Sequence, residues 1–464
     1  MTKDFLEKRK NIPALIIAGM HSGAGKTSLT IGIIAALTKR GYKVQPFKVG
    51  PDFIDPGHHT KSSGRISRNL DGWMLSHNTN REIFARNSYD ADIAVIEGVA
   101  GLFDGYDGIS ESGSTAEIAK ILDVPVILVT DAQALSRSIG AVVKGYDTFD
   151  PDLKLAGVIF NKISGSRHLK MLSSAVENSS SVKIIGGIPQ DKQVFVQERH
   201  LGLHMAREDK LLDDYINKLA QLAEDHLNLD ELIKLANSSI ERAQTEPRRI
   251  YDNKVRIGVA RDEAFCFYYQ DNLDLLKEYG AQIIEFSPIR DNLPENLDGI
   301  YFGGGYPELY AEQLSKNKAI LEDIYNFSQN GGVIYGECGG LMYLSEGVEG
   351  FNGEFYPLCS ILPFKTRMTG KVKLSYTEVY PENQIKFFPN DSVIRGHLFH
   401  YSEIIESRNT ETFYNVKTFT SGKIPEGYMI NNTLASYIHL HFWSNPEFAR
   451  SFVEFCRGNK LRYY

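Results

Sequence analysis

Apolar residues in the first half of this chain gather in short continuous runs, and between the runs apolar positions return every three or four residues. The runs are LIIAG (15–19), VQPFKVG (44–50), IAVIEG (93–98), VPVILVT (124–130), LAGVIFN (155–161) and VKIIGGI (182–188). Runs of this length with no polar face suit strands covered on both sides, as in a parallel sheet. The stretches between them, such as TSLTIGIIAALTKRG, carry helical periodicity and end at glycine. The alternation predicts a doubly wound α/β domain.

From about 210 to 245 the pattern is helical without strands, and the polar stretch TEPRRIYDNK (245–254) then breaks it. A second series of runs follows: VRIGVA (255–260), QIIEFSP (282–288), GIYFGGG (299–305) and GVIYGE (332–337). The predicted organisation is two α/β domains, residues 1–245 and 255–464. The length of 464 residues agrees, being too great for one ordinary core.

Composition narrows the class. Hydrophobic residues are 42% and charged residues 23%, as in a soluble globular protein, and the formal net charge of −7 gives no reason to expect a nucleic-acid partner. The run LIIAG is too short for a membrane span, and no secretory signal is visible. The four cysteines are scattered with no CxxC pair, which argues against a zinc site or disulfide framework and points to the cytoplasm. Oligomeric state is not legible.

The first run ends in Gly19-Met20-His21-Ser22-Gly23-Ala24-Gly25-Lys26-Thr27, followed by a helical pattern. A glycine-rich turn feeding a helix start aims backbone N–H groups at phosphate oxygens. Ser22, Gly23, Ala24 and Gly25 would cradle the phosphates of ATP, Lys26 would reach the β- and γ-phosphates, and Thr27 would join a Mg²⁺ shell. Five residues rather than four separate Gly19 from Gly25. This variant spacing resembles the dethiobiotin synthetase and partition-ATPase branch.

Ligands of a parallel sheet gather at the carboxyl ends of its strands. Asp52 and Asp55 follow the second run and Glu97 ends the third. Asp55 and Glu97 are metal-shell candidates with Thr27, and Asp52 is placed to orient a substrate. Asp104, before a glycine, serves equally well as a turn cap. Asn161, before Lys162, has both a donor and an acceptor for a purine edge.

In the second half, Tyr335-Gly336-Glu337-Cys338-Gly339-Gly340 reads as a strand, G-x-C-x-G, and a helix start. That is a nucleophile elbow with cysteine in place of serine. The helix start would lower the thiol pKa. The Gly339 N–H, with one from Gly303-Gly304-Gly305, would form an oxyanion hole. A base is also needed. His439 and His441 near the C-terminus are candidates, His439 preferred, with His397 and His400 as others.

These segments together resemble the cobyrinic acid a,c-diamide synthase family over nearly the whole chain. The matching stretches, in the same order, are FKVGPDFIDP, SRNLDGWML, IEGVAGLFDG, ERHLGL, AFCFYYQDNL, GGGYPELY, GECGGLMYL and SYIHLHF. The resemblance implies a P-loop dethiobiotin synthetase-like parallel-sheet domain followed by a class I glutamine amidotransferase-like domain. It implies ATP- and glutamine-dependent amidation of the a and c side-chain carboxylates of a corrinoid, cobyrinic acid, a tetrapyrrole polycarboxylate, with Mg²⁺ and an acyl-phosphate intermediate. It makes Cys338 the nucleophile and His439 the histidine that activates it, and puts Asp52, Asp55 and Glu97 at the synthetase site. Three positions depart from the usual pattern: Phe53 replaces a tyrosine, Leu398 a glutamate, and His441 the glutamate of a full Cys-His-Glu triad. GPDFIDP argues against the sibling cobyric acid synthase. Motifs do not separate cobyrinate from hydrogenobyrinate or nickel-sirohydrochlorin as the macrocycle. A P-loop nucleotide switch is the rival from another class, disfavoured by the linked thiol and histidine.

Overall fold

The computed structural model describes residues 10–190, 209–241, 255–381, 385–388, 392–407, 411–419 and 422–459. The ERHLGL segment and the polar stretch ending at residue 254 lie wholly or mostly outside them. The chain forms two compact units, 1–246 and 247–464. Among the described residues no helix is long and apolar enough to cross a membrane.

The first unit is built on seven parallel strands: β1 (Ala14–Gly19), β2 (Val44–Val49), β3 (Arg68–Leu70), β4 (Ile93–Glu97), β5 (Val126–Asp131), β6 (Leu155–Ile163) and β7 (Lys183–Pro189). Their order is β3-β2-β4-β1-β5-β6-β7. Every residue of β1, β2 and β4 is buried, which is why their runs are mostly apolar, with Gln45, Lys48 and Glu97 as the buried polar exceptions. The edge strand β3 is three residues of mixed polarity, too short and too polar for the hydrophobic pattern to reveal. Helix α1 (Lys26–Lys39) continues the phosphate loop, and helix α2 (Ile54–Ser63) follows β2. The apolar core of α1 packs on Ile216, Leu219, Ala220 and Ala223 of helix α3 (Asp209–His226). The order places β1 between β4 and β5, so the loop after β1 opens beside the carboxyl ends of β2 and β4.

The second unit contains β8 (Val255–Ala260), β9 (Phe265–Phe267), β10 (Ala281–Phe286), β11 (Gly299–Phe302), β12 (Gly304–Gly305) and β13 (Val333–Glu337). Beyond β13 come helix α4 (Gly339–Leu344), then β14 (Ser345–Glu349), β15 (Phe355–Pro357), β16 (Leu362–Pro381) and β17 (Ile394–Ile405). Then follow β18 (Thr412–Thr418), β19 (Lys423–Ile430), β20 (Thr433–Ser436), β21 (Ile438–Leu440) and a last helix, Glu447–Gly458. The large sheet begins β10-β8-β11-β13-β20, all parallel, and continues through β19, β18 and β16 in antiparallel pairs.

Two sequence expectations are corrected here. The run GIYFGGG is not one strand: β11 stops at Phe302, and Gly304 and Gly305 pair with β9 instead. The Gly303 N–H turns to the Tyr268 hydroxyl at 2.8 Å, and its carbonyl accepts from Gly340 N–H at 3.0 Å. The antiparallel half was also not foreseen. β16 is long but carries lysines, threonines and tyrosines on an open face, with Leu374 and Val372 exposed, so it lacks the continuous apolar run of a buried strand.

Candidate functional site

Each unit carries one constellation. In the first, Gly23 and Gly25 both have positive φ (79° and 94°), a conformation that costs a side chain energy and lets the loop wrap toward the helix start. Lys26 Nζ donates to the Ala100 carbonyl at 2.6 Å, linking the loop to the segment after β4. The Thr27 hydroxyl donates to Glu97 Oε1 at 2.7 Å and stands 3.3 Å from Asp55 Oδ2. Thr27, Asp55 and Glu97, far apart in sequence, therefore share one network.

At its centre is a residue that sequence reasoning left without a role, Lys48, the penultimate residue of β2. Its ammonium lies 2.5 Å from Asp55, 2.9 Å from Glu97 and 3.6 Å from Asp52. Burial alone would lower the Lys48 pKa, but the charges of Asp55, Glu97 and Asp52 together hold it well above the usual lysine value. Burial likewise pushes Asp55 up, yet Lys48 and His59 outweigh it and leave that carboxyl below the usual range. His59, wholly buried on α2, hydrogen-bonds the other oxygen of Glu97 at 2.6 Å. Lys48 was legible as a cation at a strand's carboxyl end. His59 offered only a helical spacing from Asp55.

Asp52 has two tasks. Its Oδ1 accepts from the Ile54 N–H at 2.8 Å, capping the start of α2, while Oδ2 faces Lys48. Asp104 caps its own turn by accepting from Gly101 N–H at 2.8 Å. Asn161 braces the phosphate loop: its Nδ2 donates to the Ala24 carbonyl at 2.9 Å, and its Oδ1 accepts from Lys162 N–H at 2.9 Å. Both ends of the amide that sequence assigned to a purine edge are thus engaged within the chain. The Thr27, Asp55 and Glu97 oxygens are hard donors of the kind Mg²⁺ takes. Among the described residues no three His, Cys, Asp or Glu side chains close a metal cage by themselves.

In the second unit, β13 delivers Cys338 to the elbow with φ 47° and ψ −99°, a backbone conformation rare outside glycine. The Cys338 N–H donates to the Ser436 carbonyl at 2.7 Å, tying the elbow to β20, three residues before His439. A side chain on Gly304 would place its Cβ 2.3 Å from His439 Cε1, and one on Gly339 would come within 3.2 Å of Gly305 N. The glycine segment therefore touches His439 on one side and the elbow on the other. This close approach explains the missing side chains there.

The expectation of a lowered thiol pKa is overturned. Burial, with Glu308 and Glu337 adding negative charge, pushes the Cys338 thiol far up, and the Gly339 N–H offsets this only in part. Helix α4 has six residues and cannot outweigh desolvation. The Cys338 thiol donates to the Phe399 carbonyl at 3.6 Å. Burial also lowers His439 to about 3, a neutral imidazole able to accept a proton. His397 stacks on it, ring centroids 4.8 Å apart, and His400 stacks instead on Tyr437. His441 lies outside β21 with its ring on Tyr269.

The acid nearest His439 comes from a place the sequence did not suggest. Glu337, immediately before Cys338, has Oε2 at 3.9 Å from His439 Nδ1. Hydroxyls of Tyr335 and Tyr301 and the Leu440 N–H all donate to its carboxylate. Burial nevertheless raises Glu337 to about 7.

Comparison with known proteins assigns each unit to a known domain family. Residues 15–203 match the model of the CobQ/CobB/MinD/ParA nucleotide binding domain, and residues 256–447 that of the CobB/CobQ-like glutamine amidotransferase domain. A protein of Syntrophotalea carbinolica named cobyrinate a,c-diamide synthase is 45% identical, the alignment covering 96% of this chain and 99% of the relative. Proteins of the same name from Archaeoglobus fulgidus (41% identical, 96% of this chain and 97% of the relative) and Dehalococcoides mccartyi (39%, 97% and 99%) align over a similar extent. With its phosphate loop and carboxylates in one unit and its thiol elbow in the other, the chain belongs to the cobyrinate a,c-diamide synthase family.

Proposed function

We propose that this protein uses ATP and glutamine to convert the a and c side-chain carboxylates of cobyrinic acid to amides, a reaction of cobalamin biosynthesis. The observation that carries the reading is the meeting of Thr27, Lys48, Asp55 and Glu97 beside a phosphate loop, in a chain whose other unit presents a thiol on an elbow.

A carboxylate does not yield to ammonia, because the group expelled would be oxide. Transfer of the γ-phosphoryl group of ATP to a carboxylate oxygen makes an acyl phosphate and ADP, and phosphate can then leave. The backbone N–H groups of 22–27 and the Lys26 ammonium hold the nucleotide phosphates. Lys48 offers a fixed positive charge to the incoming substrate carboxylate, and Asp52 and Asp55 hold that lysine in place. Thr27, Asp55 and Glu97 are the residues that would hold Mg²⁺, which would neutralise charge on the phosphates.

Ammonium is not a nucleophile, so nitrogen must arrive as free ammonia. Cys338 attacks the side-chain amide carbon of glutamine as His439 takes the thiol proton and passes it to the departing ammonia. The Gly339 N–H and an N–H of the glycine segment receive the negative charge on the oxygen. Glu337 stabilises the transient imidazolium. Water then releases glutamate from the thioester. Ammonia attacks the acyl phosphate, forming the amide and expelling phosphate. Four free cysteines suit a reducing cytoplasm as the site of this chemistry.

Mass spectrometry tests the reading on cobyrinate, hydrogenobyrinate and nickel-sirohydrochlorin, each with ATP, Mg²⁺ and glutamine. Cobyrinate should gain one and then two amide groups faster than the other two. Preference for another macrocycle reassigns the substrate, and no amide on any of them refutes the ligase.

A further inference from the structure

One half-buried acid close to Cys338 has no part in the scheme above. Glu308 stands in the short turn Pro307–Leu309 that follows the glycine segment. The turn lies against the elbow: a Cβ on Gly339 would meet Pro307 Cδ at 3.0 Å. The charge of Glu308 reaches two thiols, Cys338 and Cys266, and raises both. Burial pushes the Glu308 carboxyl itself up to about 7, with only its own backbone N–H to offset the cost.

Other acids of this unit have internal partners. Glu337 accepts from two tyrosine hydroxyls and a backbone N–H, and Asp262 from Ser287 Oγ and the Ile289 and Ala264 N–H groups. Among the described residues no lysine, arginine or histidine makes an ion pair with Glu308. A partly buried carboxylate without a counter-charge gains from a ligand cation that completes it.

Glutamine brings such a cation. What separates it from an ordinary primary amide is its α-ammonium and α-carboxylate. In an extended glutamine the α-nitrogen lies about 5 Å from the amide carbon that Cys338 attacks. An acid that receives it must stand near the sulfur, and the turn that carries Glu308 packs on Gly339, the residue next to Cys338.

We propose that Glu308 binds the α-ammonium of glutamine and thereby selects free glutamine over other amides at Cys338. The inference rests on the reading of Cys338 as the glutaminase nucleophile. It carries a kinetic consequence. Glu308 opposes thiolate formation while its charge is uncompensated, and a bound ammonium cancels that charge. The correct substrate therefore primes the thiol, and an amide without the ammonium leaves it at rest.

The test compares glutamine with glutaramate, which is glutamine without its α-amino group, in wild type, Glu308→Gln and Glu308→Asp. Wild type should prefer glutamine in kcat/KM by about 100-fold, the scale of a buried charge-assisted contact. Glu308→Gln should bring the two substrates within about threefold, the loss falling on glutamine through KM. Glu308→Asp, which keeps the charge, should retain part of the preference. Full preference in Glu308→Gln, or an equal loss on both substrates in both variants, overturns the inference. Cys338→Ala separates this from failure of the glutaminase reading. Hydrolysis that survives Cys338→Ala, or is absent in wild type, refutes that reading and this inference with it. Cys338-dependent hydrolysis with an unchanged preference in Glu308→Gln refutes the Glu308 assignment alone.

Discussion

Gly304→Ala is the smallest change that should silence the glutaminase half. The new Cβ would stand 2.3 Å from His439 Cε1 and 3.2 and 3.3 Å from the ring nitrogens. Ordinary contact begins at 3.4 Å, so the ring or the loop must give by about 1 Å (3.4 − 2.3). The loop is pinned: Gly303 bonds to the Tyr268 hydroxyl and to Gly340, and Tyr306 N–H to the Ala264 carbonyl. The ring is the part that can move, though it is buried and stacked on His397. A base displaced by about 1 Å loses on the order of 100-fold in rate, or about 2.7 kcal/mol of transition-state stabilisation. Overpacking would also cost about 1–3 kcal/mol of stability. The assay is glutamate release from glutamine, beside amidation driven by ammonium chloride at raised pH, which His439 does not serve. The expected result is a loss of about 100-fold in the first with the second within about threefold of wild type. Glutamine hydrolysis within threefold of wild type, in a variant whose thermal unfolding is cooperative, would refute the placement of Gly304 against the catalytic histidine.

Cys338→Ala should abolish glutamine-dependent amidation and keep ammonia-driven turnover, with ATP binding measured to exclude misfolding; equal loss with both nitrogen sources would refute the division of labour. Asp55→Asn should leave ATP affinity by calorimetry little changed while amidation with saturating ammonia falls about 100-fold, roughly 3 kcal/mol, because a neutral amide holds Lys48 and a divalent cation less well. A large loss of affinity at unchanged turnover would place Asp55 in nucleotide binding alone. Acid stability follows from the buried ionisable groups. Burial lowers His439 and His441 to about 3, His400 to about 4 and His397 well below its usual value, so below about pH 6.5 the unfolded chain binds more of these protons and stability falls. Glu337 and Glu308, raised to about 7, act oppositely: the folded state takes their protons first, which stabilises it as pH falls toward 4.5. The two sets oppose one another between pH 7 and 4.5; below that the histidines go on destabilising the fold, joined by carboxylates held low in the folded state, such as Asp55, Asp131 and Asp150. Thermal unfolding of the full chain should therefore show a steep acid limb between about pH 4.5 and 3.5, and His441→Asn should remove about one proton from its slope. An unchanged slope in that variant would refute a neutral buried His441.

Sequence alone determined the features that are local. The phosphate loop was legible because glycines at 23 and 25 set backbone dihedrals within a few residues of Lys26, and the elbow because glycines at 336 and 339 bracket Cys338. The strands β1, β2 and β4 were legible because burial on both faces favours apolar runs, broken in β2 and β4 only by Gln45, Lys48 and Glu97, and β16 was hidden because an open face does not. Tertiary structure alone decided the rest. Sheet register, not spacing, puts Gly304 against His439, Glu337 near the same ring, and Lys48 between Asp55 and Glu97. The protonation states are equally non-local. A helix start argued for a reactive thiol, yet the Cys338 pKa is the sum of desolvation and charge from every neighbour, and burial wins. Backbone geometry is written in adjacent residues, whereas electrostatics is set by whichever side chains packing brings within a few ångströms.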